Sequence, residues 1–497
     1  MRKIYNKLGM VVTSLLLITG CSKNYLETSP TESYDEGFIF TTTENGLAAV
    51  NGIHKAMVAQ YEVRMNLGGY PSMMTYMDML GEDLVLPSQG NGWWVDEYRW
   101  QVHRDANEKT TYFTYRFFYM LISNANMILE QIDGATGTEG EKKMIKGQAL
   151  AYRGLSHFWL VQFFAERYDK TKANDGLGVP LMISTQNKIL PRETIANVYK
   201  KICEDLEESV RLLKDPENTF KPTSKSHFTP ATVEGIRARV ALTMQDWENA
   251  RDYAKLAMDD FGGKLMDREQ YNEGFNDATN PEWMWAFHQI PDQTLYFYGF
   301  MAFMSYNFNS TNVRSCPKCI NSLLYNEIKD TDVRKGLWDP TGKAYTLPTA
   351  SFTKYKYMNR KFKVADYTSS VADACYMRLG EMYLVLAEAK ARLNEADAAD
   401  VLYTLAKSRD PQYTKSTNTG TDLVNEILLQ RRIELWGEGF RFSDLKRLNA
   451  PMDRKNSNHD VALAITMTVP VGDLKWQFLI PQKEIDATEG MVIQNPM

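Results

Sequence analysis

The chain has 497 residues, of which 44% are hydrophobic and 24% are charged, the ordinary composition of a globular protein. Its formal net charge of −5 gives no basic footprint for a phosphate backbone, which argues against nucleic acid as a partner. No two histidines stand at metal-ligand spacing and no G-x-S-x-G, H-E-x-x-H or P-loop motif occurs, so we predict no metal, cofactor or catalytic residue.

Residues 1–20 have the pattern of an export signal. Basic residues near the start precede an apolar run from Leu8 to Ile18, which is too short to span a bilayer as a helix. Ile18-Thr19-Gly20-Cys21 matches the lipobox, in which the cysteine is acylated, for example with palmitate, and the chain is cut just before it. The alternative is an ordinary cleaved signal with a chance cysteine. Because two or more acyl chains hold a protein stably on a membrane, we expect Cys21 to be a permanent lipid anchor for a body of residues 21–497.

Helical spacing of apolar residues dominates the centre of the chain. It predicts an antiparallel pair of helices separated by the breaker-rich loop 133–137. The helices of this pair are expected at residues 112–132 and 142–164. A third helix, at 193–213, is predicted to face its charged residues toward solvent. Thr229 is expected to cap a fourth helix that begins at Pro230, and its partner begins at Trp247.

Small residues at spacings of three and four recur in two distant segments. They are Ala250, Ala254 and Ala257, and then Ala399, Tyr403 and Ala406. This spacing is typical of the second helix of a tetratricopeptide repeat, and Leu379-Gly380-Glu381-Met382-Tyr383 matches the first helix. The same spacing also arises in any tight helical bundle. We predict a mainly α fold, a tetratricopeptide-like scaffold of helical pairs over about residues 35–67, 105–260 and 373–448.

The segments between these helical regions have a different composition. Residues 68–104, 261–372 and 449–497 are rich in aromatics, Gly, Pro and Asn. Long irregular segments in compact proteins are often functional, and aromatic content of this kind argues for order. Trp283 and Trp285 alternate as in a strand and are expected to pack inward. We predict that these insertions form one ligand face on the scaffold.

Two clusters in the insertions have the composition of a sugar-binding site. Sugar rings present apolar faces to aromatic planes and hydroxyl edges to polar side chains. The first cluster holds Asn91, Trp93, Trp94, Tyr98 and Trp100, and the second holds Tyr296, Tyr298 and Asn309. The alternative for the first cluster is a hydrophobic plug that fastens the insertion to the scaffold, with at least one tryptophan in the core.

Cys316-Pro317-Lys318-Cys319 is a lone C-x-x-C motif. It leaves three states open, namely a metal site, a local disulfide, and free or distantly paired thiols. Two acidic pairs, Glu82-Asp83 and Asp96-Glu97, are the carboxyl groups available to a glycoside hydrolase, although adjacent residues do not by themselves place two carboxylates across a substrate.

Several motifs follow one another in a recognisable order. They are Gly178-Val179-Pro180; Pro191-Arg192-x-Thr194 with Val198-Tyr199-x-x-Ile202-x-x-Asp205-Leu206; Arg378-Leu379-Gly380-Glu381-x-Tyr383 through Ala387-Glu388-Ala389; Arg431-Arg432-x-Glu434-Leu435-x-Gly437-Glu438-Gly439-x-Arg441-x-x-Asp444-Leu445-Lys446-Arg447; and Ile480-Pro481 with Gln494-Asn495-Pro496. With the lipobox, this series resembles the SusD/RagB family of outer-membrane nutrient-binding lipoproteins over 21–497. We expect the charges of the arginine motif, 431–447, to satisfy one another and to cap helix ends.

The resemblance implies a receptor rather than an enzyme. Such a receptor lies on a SusC-like TonB-dependent transporter barrel in the outer membrane and captures nutrient at the cell exterior. The usual ligand is an oligosaccharide, and in some relatives it is a peptide. A protein-binding scaffold without a nutrient is a further alternative.

Overall fold

A computed structural model describes residues 40–186, 189–220, 222, 224–293 and 295–497. The export signal and Cys21 lie outside these residues. Within them the protein is mostly helical, which confirms the predicted fold class. The helices are α1 Thr43–Ala56, α2 Tyr70–Met79, α3 Val95–Tyr98, α4 Lys109–Gln131, α5 Glu139–Phe164, α6 Ile195–Leu213, α7 Pro230–Met244, α8 Trp247–Phe261, α9 Phe300–Met304, α10 Thr311–Ser315, α11 Ser322–Asn326, α12 Leu379–Arg392, α13 Ala398–Arg409, α14 Gly420–Glu434, α15 Arg441–Arg447, α16 Val461–Ala464 and α17 Gln482–Ala487.

The long helices pack in a continuous row. Each helix from α4 to α7 packs on the helix that follows it in the chain, which brings the row to α8. The row then continues across the second insertion, because α8 packs on α12, and α12 packs on both α13 and α14. Residues far apart in sequence therefore belong to one scaffold of helical pairs.

The sequence located these helices well. Thr229 caps α7 as predicted, its side chain accepting a hydrogen bond from the backbone N–H of Thr232 at 3.2 Å. Thr138 and Glu141 form a capping box at the start of α5. The close approach of α8 to its neighbours is also confirmed, since its three small residues, Ala250, Ala254 and Ala257, are fully buried.

Short strands join the insertions to one another and to the scaffold. The strands are β1 Leu84–Val85, β2 Trp283–Phe287, β3 Cys319–Ile320, β4 Trp338–Asp339, β5 Met358–Asn359, β6 Ala374–Arg378, β7 Met452–Asp453 and β8 Thr468–Val469. One sheet has the order β1-β3-β5-β4, one pairs β2 with β6, and one pairs β7 with β8, all antiparallel. Trp283 and Trp285 lie on β2 and are buried, so their predicted inward packing is confirmed.

The first insertion is less irregular than expected. Helix α2 lies within it, and every one of its ten residues is buried. A helix that is buried on all sides has no apolar stripe opposite a charged face to reveal it, which is why the pattern of residues 70–79 did not predict one. The insertion is thus fastened to the core by a buried helix.

The arginine motif is structural, but its partners differ from those expected. The ion pairs between residues of the motif itself all involve Asp444, whose carboxylate lies 2.8 Å from both Arg431 and Arg447. Its other charged residues reach outside. Arg432 and Arg441 bind Asp83 of the first insertion, and the two glutamates bind basic residues of the second insertion, β6 and α13.

Arg192 connects segments that are far apart in the chain. The Arg192 guanidinium donates to four carbonyl oxygens and, at 2.8 Å, to Oδ1 of Asn495. The carbonyl oxygens belong to Phe164, Leu177, Gly178 and Ile493. One arginine therefore ties the end of α5, the linker before α6 and the C-terminal segment together.

Candidate functional site

A cavity of about 450 Å³ opens beside the first aromatic cluster. We call it the Trp93 cavity. Its lining residues are Val63, Arg64, Met65, Asn66, Asn91, Gly92, Trp93, Trp94, Asp96, Glu97, Val102 and Glu108. The volume lies in the range of small-ligand sites, roughly 300–1,000 Å³.

The loop that carries Trp93 is fastened to the second insertion. Ser88 Oγ donates to the carbonyl oxygen of Ser315 at 2.8 Å, and Cys316 Sγ lies 3.0 Å from the carbonyl oxygen of Ser88. Gly90 has a φ of +54°, and a Cβ there would stand 2.7 Å from Cβ of Cys316. Glycine at this position allows the close contact, and the contact fixes where Trp93 stands.

The rim of the cavity offers both apolar and amide groups. Trp93 is partly exposed, and its ring meets Phe303 edge-on with the centroids 6.4 Å apart. Val63 is 95% exposed and Met65 is 44% exposed. Asn91 is also exposed. An aromatic ring and an amide at one opening are the two kinds of group that a sugar requires.

Charged groups also line the cavity. Arg64 and Glu108 form an ion pair of 2.7 Å. Glu97 is buried and accepts a hydrogen bond from Thr110 Oγ1 at 3.0 Å. Burial raises the pKa of Glu97 to about 7, more than the bond from Thr110 lowers it. This carboxyl therefore titrates close to neutral pH, and its Oε1 already accepts hydrogen bonds from Thr110 and Asn66.

Three residues of the first cluster belong to the core and not to an accessible site. Trp94, Tyr98 and Trp100 are each no more than 1% exposed. The Tyr98 ring stacks on His459, and the Arg454 guanidinium lies 4.1 Å from its centre. They present no ring face to a ligand, so we withdraw them as contact residues. The plug alternative holds for them, while Asn91 and Trp93 keep the accessible positions.

Of the second cluster, only Tyr298 lies near this cavity. Tyr298 is partly buried, and its carbonyl oxygen occupies the space that a Cβ on Gly68 would need, just after the rim loop 61–66. The helix that follows it, α9, provides Phe303, on which Trp93 packs. Tyr296 is 65% exposed, and Asn309 is exposed. The structure thus brings Tyr298 near the cavity and leaves Tyr296 and Asn309 on the surface.

The acidic pairs are not arranged as two facing carboxyl groups. Glu82 and Asp83 are buried, and both bind Arg441. Of the other pair, Asp96 is exposed and Glu97 is buried in the cavity wall. Glu82 and Asp83 are therefore ruled out as hydrolytic carboxylates, because arginine already binds them inside the protein.

The cysteines of the described residues are Cys203, Cys316, Cys319 and Cys375, and all are free thiols. In that part of the chain no group of three or more His, Cys, Asp or Glu is placed to hold a metal ion.

No described helix is both long and apolar enough to cross a membrane.

Comparison with known families decides the relationship. Residues 25–242 match the model of a SusD-like family described as "Starch-binding associating with outer membrane", and residues 291–497 match the model of the SusD family. The chain belongs to the SusD/RagB family. Members of this family are outer-membrane-associated binding proteins.

Relatives cover nearly the whole chain. A SusD-like protein of Bacteroides ovatus is 20% identical, over 88% of this chain and 82% of its own. The crystal structure of a SusD-like carbohydrate-binding protein from Bacteroides vulgatus is 25% identical, with a TM-score of 0.79 over 91% of this chain and 97% of that one. Surface glycan-binding protein A of Bacteroides thetaiotaomicron, solved with laminarihexaose, is 20% identical, with a TM-score of 0.66 over 92% and 100% of the two chains.

The sequence did not identify the rim loop 61–66. This loop was assigned to the scaffold, yet Val63, Arg64, Met65 and Asn66 line the cavity. Its composition carries no special mark, since a single exposed valine or methionine is common on any surface. Only the fold places it opposite Trp93.

Proposed function

We propose that this protein is a cell-surface lipoprotein that captures oligosaccharides and passes them to a SusC-like TonB-dependent transporter. The observation that carries the proposal is the Trp93 cavity, which presents a partly exposed indole, an exposed amide and the Arg64–Glu108 ion pair at one opening. The function of the Bacteroides vulgatus relative, a carbohydrate-binding protein with the same fold, supports this assignment.

Anchoring and docking complete the proposal. Acylated Cys21 would hold the body on the outer face of the outer membrane. The helical regions, 35–67, 105–260 and 373–448, would dock the transporter barrel on surfaces away from residues 61–66 and the adjoining face of α4. That part of the scaffold would join the insertions, 68–104, 261–372 and 449–497, in the ligand face. Capture and release of a nutrient by such a receptor need no catalysis, so we assign no enzymatic activity.

A peptide ligand is the second candidate. The exposed side chains of Val63 and Met65 favour it, because apolar rim groups suit peptide side chains better than hydroxylated sugars. Asn91 and Trp93 serve either ligand.

Affinity electrophoresis of the mature chain tests the proposal. Native gels would contain starch, laminarin, xylan, galactan, mannan or mucin, and a peptide pool would be titrated in parallel. Retardation by one polysaccharide is the expected result. Binding to peptides with no retardation by any polysaccharide would contradict the carbohydrate assignment. Co-purification with a large outer-membrane barrel in mild detergent tests the docking step separately.

A further inference from the structure

A second cleft, of about 370 Å³, lies along the scaffold helix α4. We call it the α4 tyrosine cleft. Its aromatic groups are three tyrosines of one helix face, at spacings of three and four, namely Tyr112, Tyr115 and Tyr119. The linker residues Pro180 and Met182 form part of its other side. The proposed function assigns no role to this cleft.

The tyrosines differ in accessibility. Tyr115 is buried, and its ring centroid lies 4.6 Å from that of Tyr119. Tyr119 is partly exposed, and its hydroxyl donates to the carbonyl oxygen of Pro180 at 2.9 Å. Tyr112 is partly exposed, and Lys483 Nζ lies 4.1 Å from its ring centre. Tyr112 and Tyr119 therefore both keep exposed surface, and the ammonium of Lys483 lies over one face of Tyr112.

Polar groups frame these rings. Arg116 is exposed and lines the cleft, and Glu484 accepts a hydrogen bond from Tyr115 Oη at 3.4 Å. With Lys483 over Tyr112 and Arg116 paired with Glu62, two cations and two carboxyl groups surround the aromatic platform, and neither charge is in excess. This balance suits a neutral, hydroxylated ligand better than a charged one.

The cleft and the Trp93 cavity meet along the same helix. Arg116 pairs at 3.0 Å with Glu62, which belongs to the rim loop of the Trp93 cavity. The same loop binds the start of α4 through Arg64 and Glu108. Glu108, in the wall of the Trp93 cavity, is four positions from Tyr112 and eleven from Tyr119, about 6 and 16 Å along a helix. The two sites are neighbours on one surface, and a ligand that fills both is longer than one sugar ring.

We infer that the α4 tyrosine cleft is a second carbohydrate subsite, and that the ligand is an extended chain of several sugar units that runs from Trp93 along α4 to Tyr112. This inference rests on the proposed carbohydrate-binding function. Because the two contacts are joined by one ligand, the second contributes only when the chain is long enough to span both.

Calorimetry with a short and a long ligand tests the inference. The probes are the disaccharide and the hexasaccharide of whichever polysaccharide retards the protein, titrated into the mature chain and into Tyr112→Ala. The variant is expected to bind the hexasaccharide about tenfold more weakly, a change of about 1.4 kcal/mol. It is expected to bind the disaccharide as the unchanged chain does. Tyr112→Phe, which keeps the ring, should retain the hexasaccharide affinity.

Tyr403 provides a matched control. It is a partly exposed tyrosine on α13, with Lys407 Nζ 5.8 Å from its ring centre and Tyr413 beside it. Tyr403→Ala should leave both affinities unchanged. Unchanged hexasaccharide binding by Tyr112→Ala, with binding lost in Trp93→Ala, would overturn the second subsite and leave the proposed function standing. Equal losses for both ligands would overturn the extended track. Failure of the unchanged chain to bind any polysaccharide would contradict the proposed function itself.

Discussion

Arg378 and Glu434 form an ion pair of 2.6 Å in the interior of the protein, where neither side chain is more than 1% exposed. The pair is the centre of a network with four carboxylates and four cations. The carboxylates are Glu282, Asp332, Glu434 and Glu438, and the cations are Arg334, Lys361, Arg378 and Arg409. Although burial by itself raises the pKa of Glu434, the guanidinium groups of Arg409, Arg378 and Arg334 hold that pKa well below its usual range. The network joins the second insertion to the scaffold.

Loss of one cation from this network should destabilise the fold. Arg378→Met leaves buried carboxylates without compensation, so we expect the free energy of unfolding to fall by about 3–5 kcal/mol. Urea denaturation followed by circular dichroism measures it. The control is Lys255→Met, which removes an ion pair of 2.7 Å that is mostly exposed on α8 and should change stability by less than about 1 kcal/mol. Equal effects of the two variants would contradict the structural role of the network.

Gly380 should resist substitution because the network surrounds it. A Cβ at Gly380 would lie 2.7 Å from both Arg378 Nη1 and Glu282 Oε1, whereas one at Gly52 on α1 would meet nothing within 4 Å. We expect Gly380→Ala to lose about 1–3 kcal/mol of unfolding free energy. Gly52→Ala should gain about 0.5–1 kcal/mol, since alanine favours a helix interior. Thermal melts of the two variants give the comparison. A Gly380→Ala protein as stable as the unchanged one would show that the side chains of Arg378 and Glu282 can move aside without loss of stability.

Glu97 should make stability depend on pH. Its pKa rises from 4.5 in the unfolded chain to about 7 in the folded protein, because burial disfavours the charged form. The folded state therefore binds the extra proton between these values, and stability is lost as the pH rises through them. Glu97→Gln should match the unchanged protein at about pH 4 and exceed it by about 3 kcal/mol at about pH 8. Urea denaturation at both pH values measures the difference. Glu248→Gln, on the surface of α8, serves as the control. A difference that is the same at both pH values would contradict the account of Glu97.

Cys21 should be needed for attachment to the membrane. We expect the unchanged protein to incorporate a palmitate analogue and to fractionate with membranes. Cys21→Ser, which lacks the thiol that is acylated, should do neither. Mass spectrometry of the mature N-terminus and membrane fractionation give the result. Stable membrane association of the serine variant would show that another feature holds the protein there.

The scaffold helices could be predicted because their signals are local. The cap at Thr229 and the small residues of α8 are read from neighbouring positions, and the structure has both. The motifs that carry the family resemblance also have a physical explanation. Arg192, Arg378 and Glu434 bind partners between 14 and 303 positions away, so their roles follow from the fold and not from their immediate surroundings.

The candidate site could be predicted only in part for the same reason. Composition located the stretch from Asn91 to Trp100 but could not separate the accessible Trp93 from Trp94, which lies next to it and is buried. The separation depends on a left-handed turn at Trp94, with a φ of 70°, which accompanies the burial of that ring. Val63 belongs to the same cavity through a fold-level contact.

The most direct test of the proposed function is calorimetry of Trp93→Ala with the polysaccharide that retards the unchanged protein. Trp247→Ala is the matched control, since Trp247 is also partly exposed but lies on α8, with cations over its ring. We expect Trp93→Ala to weaken binding by about tenfold or more with its melting temperature preserved, as for a central aromatic contact. The control should bind as the unchanged protein does. Unchanged affinity in folded Trp93→Ala would contradict the assignment of the Trp93 cavity as the carbohydrate site.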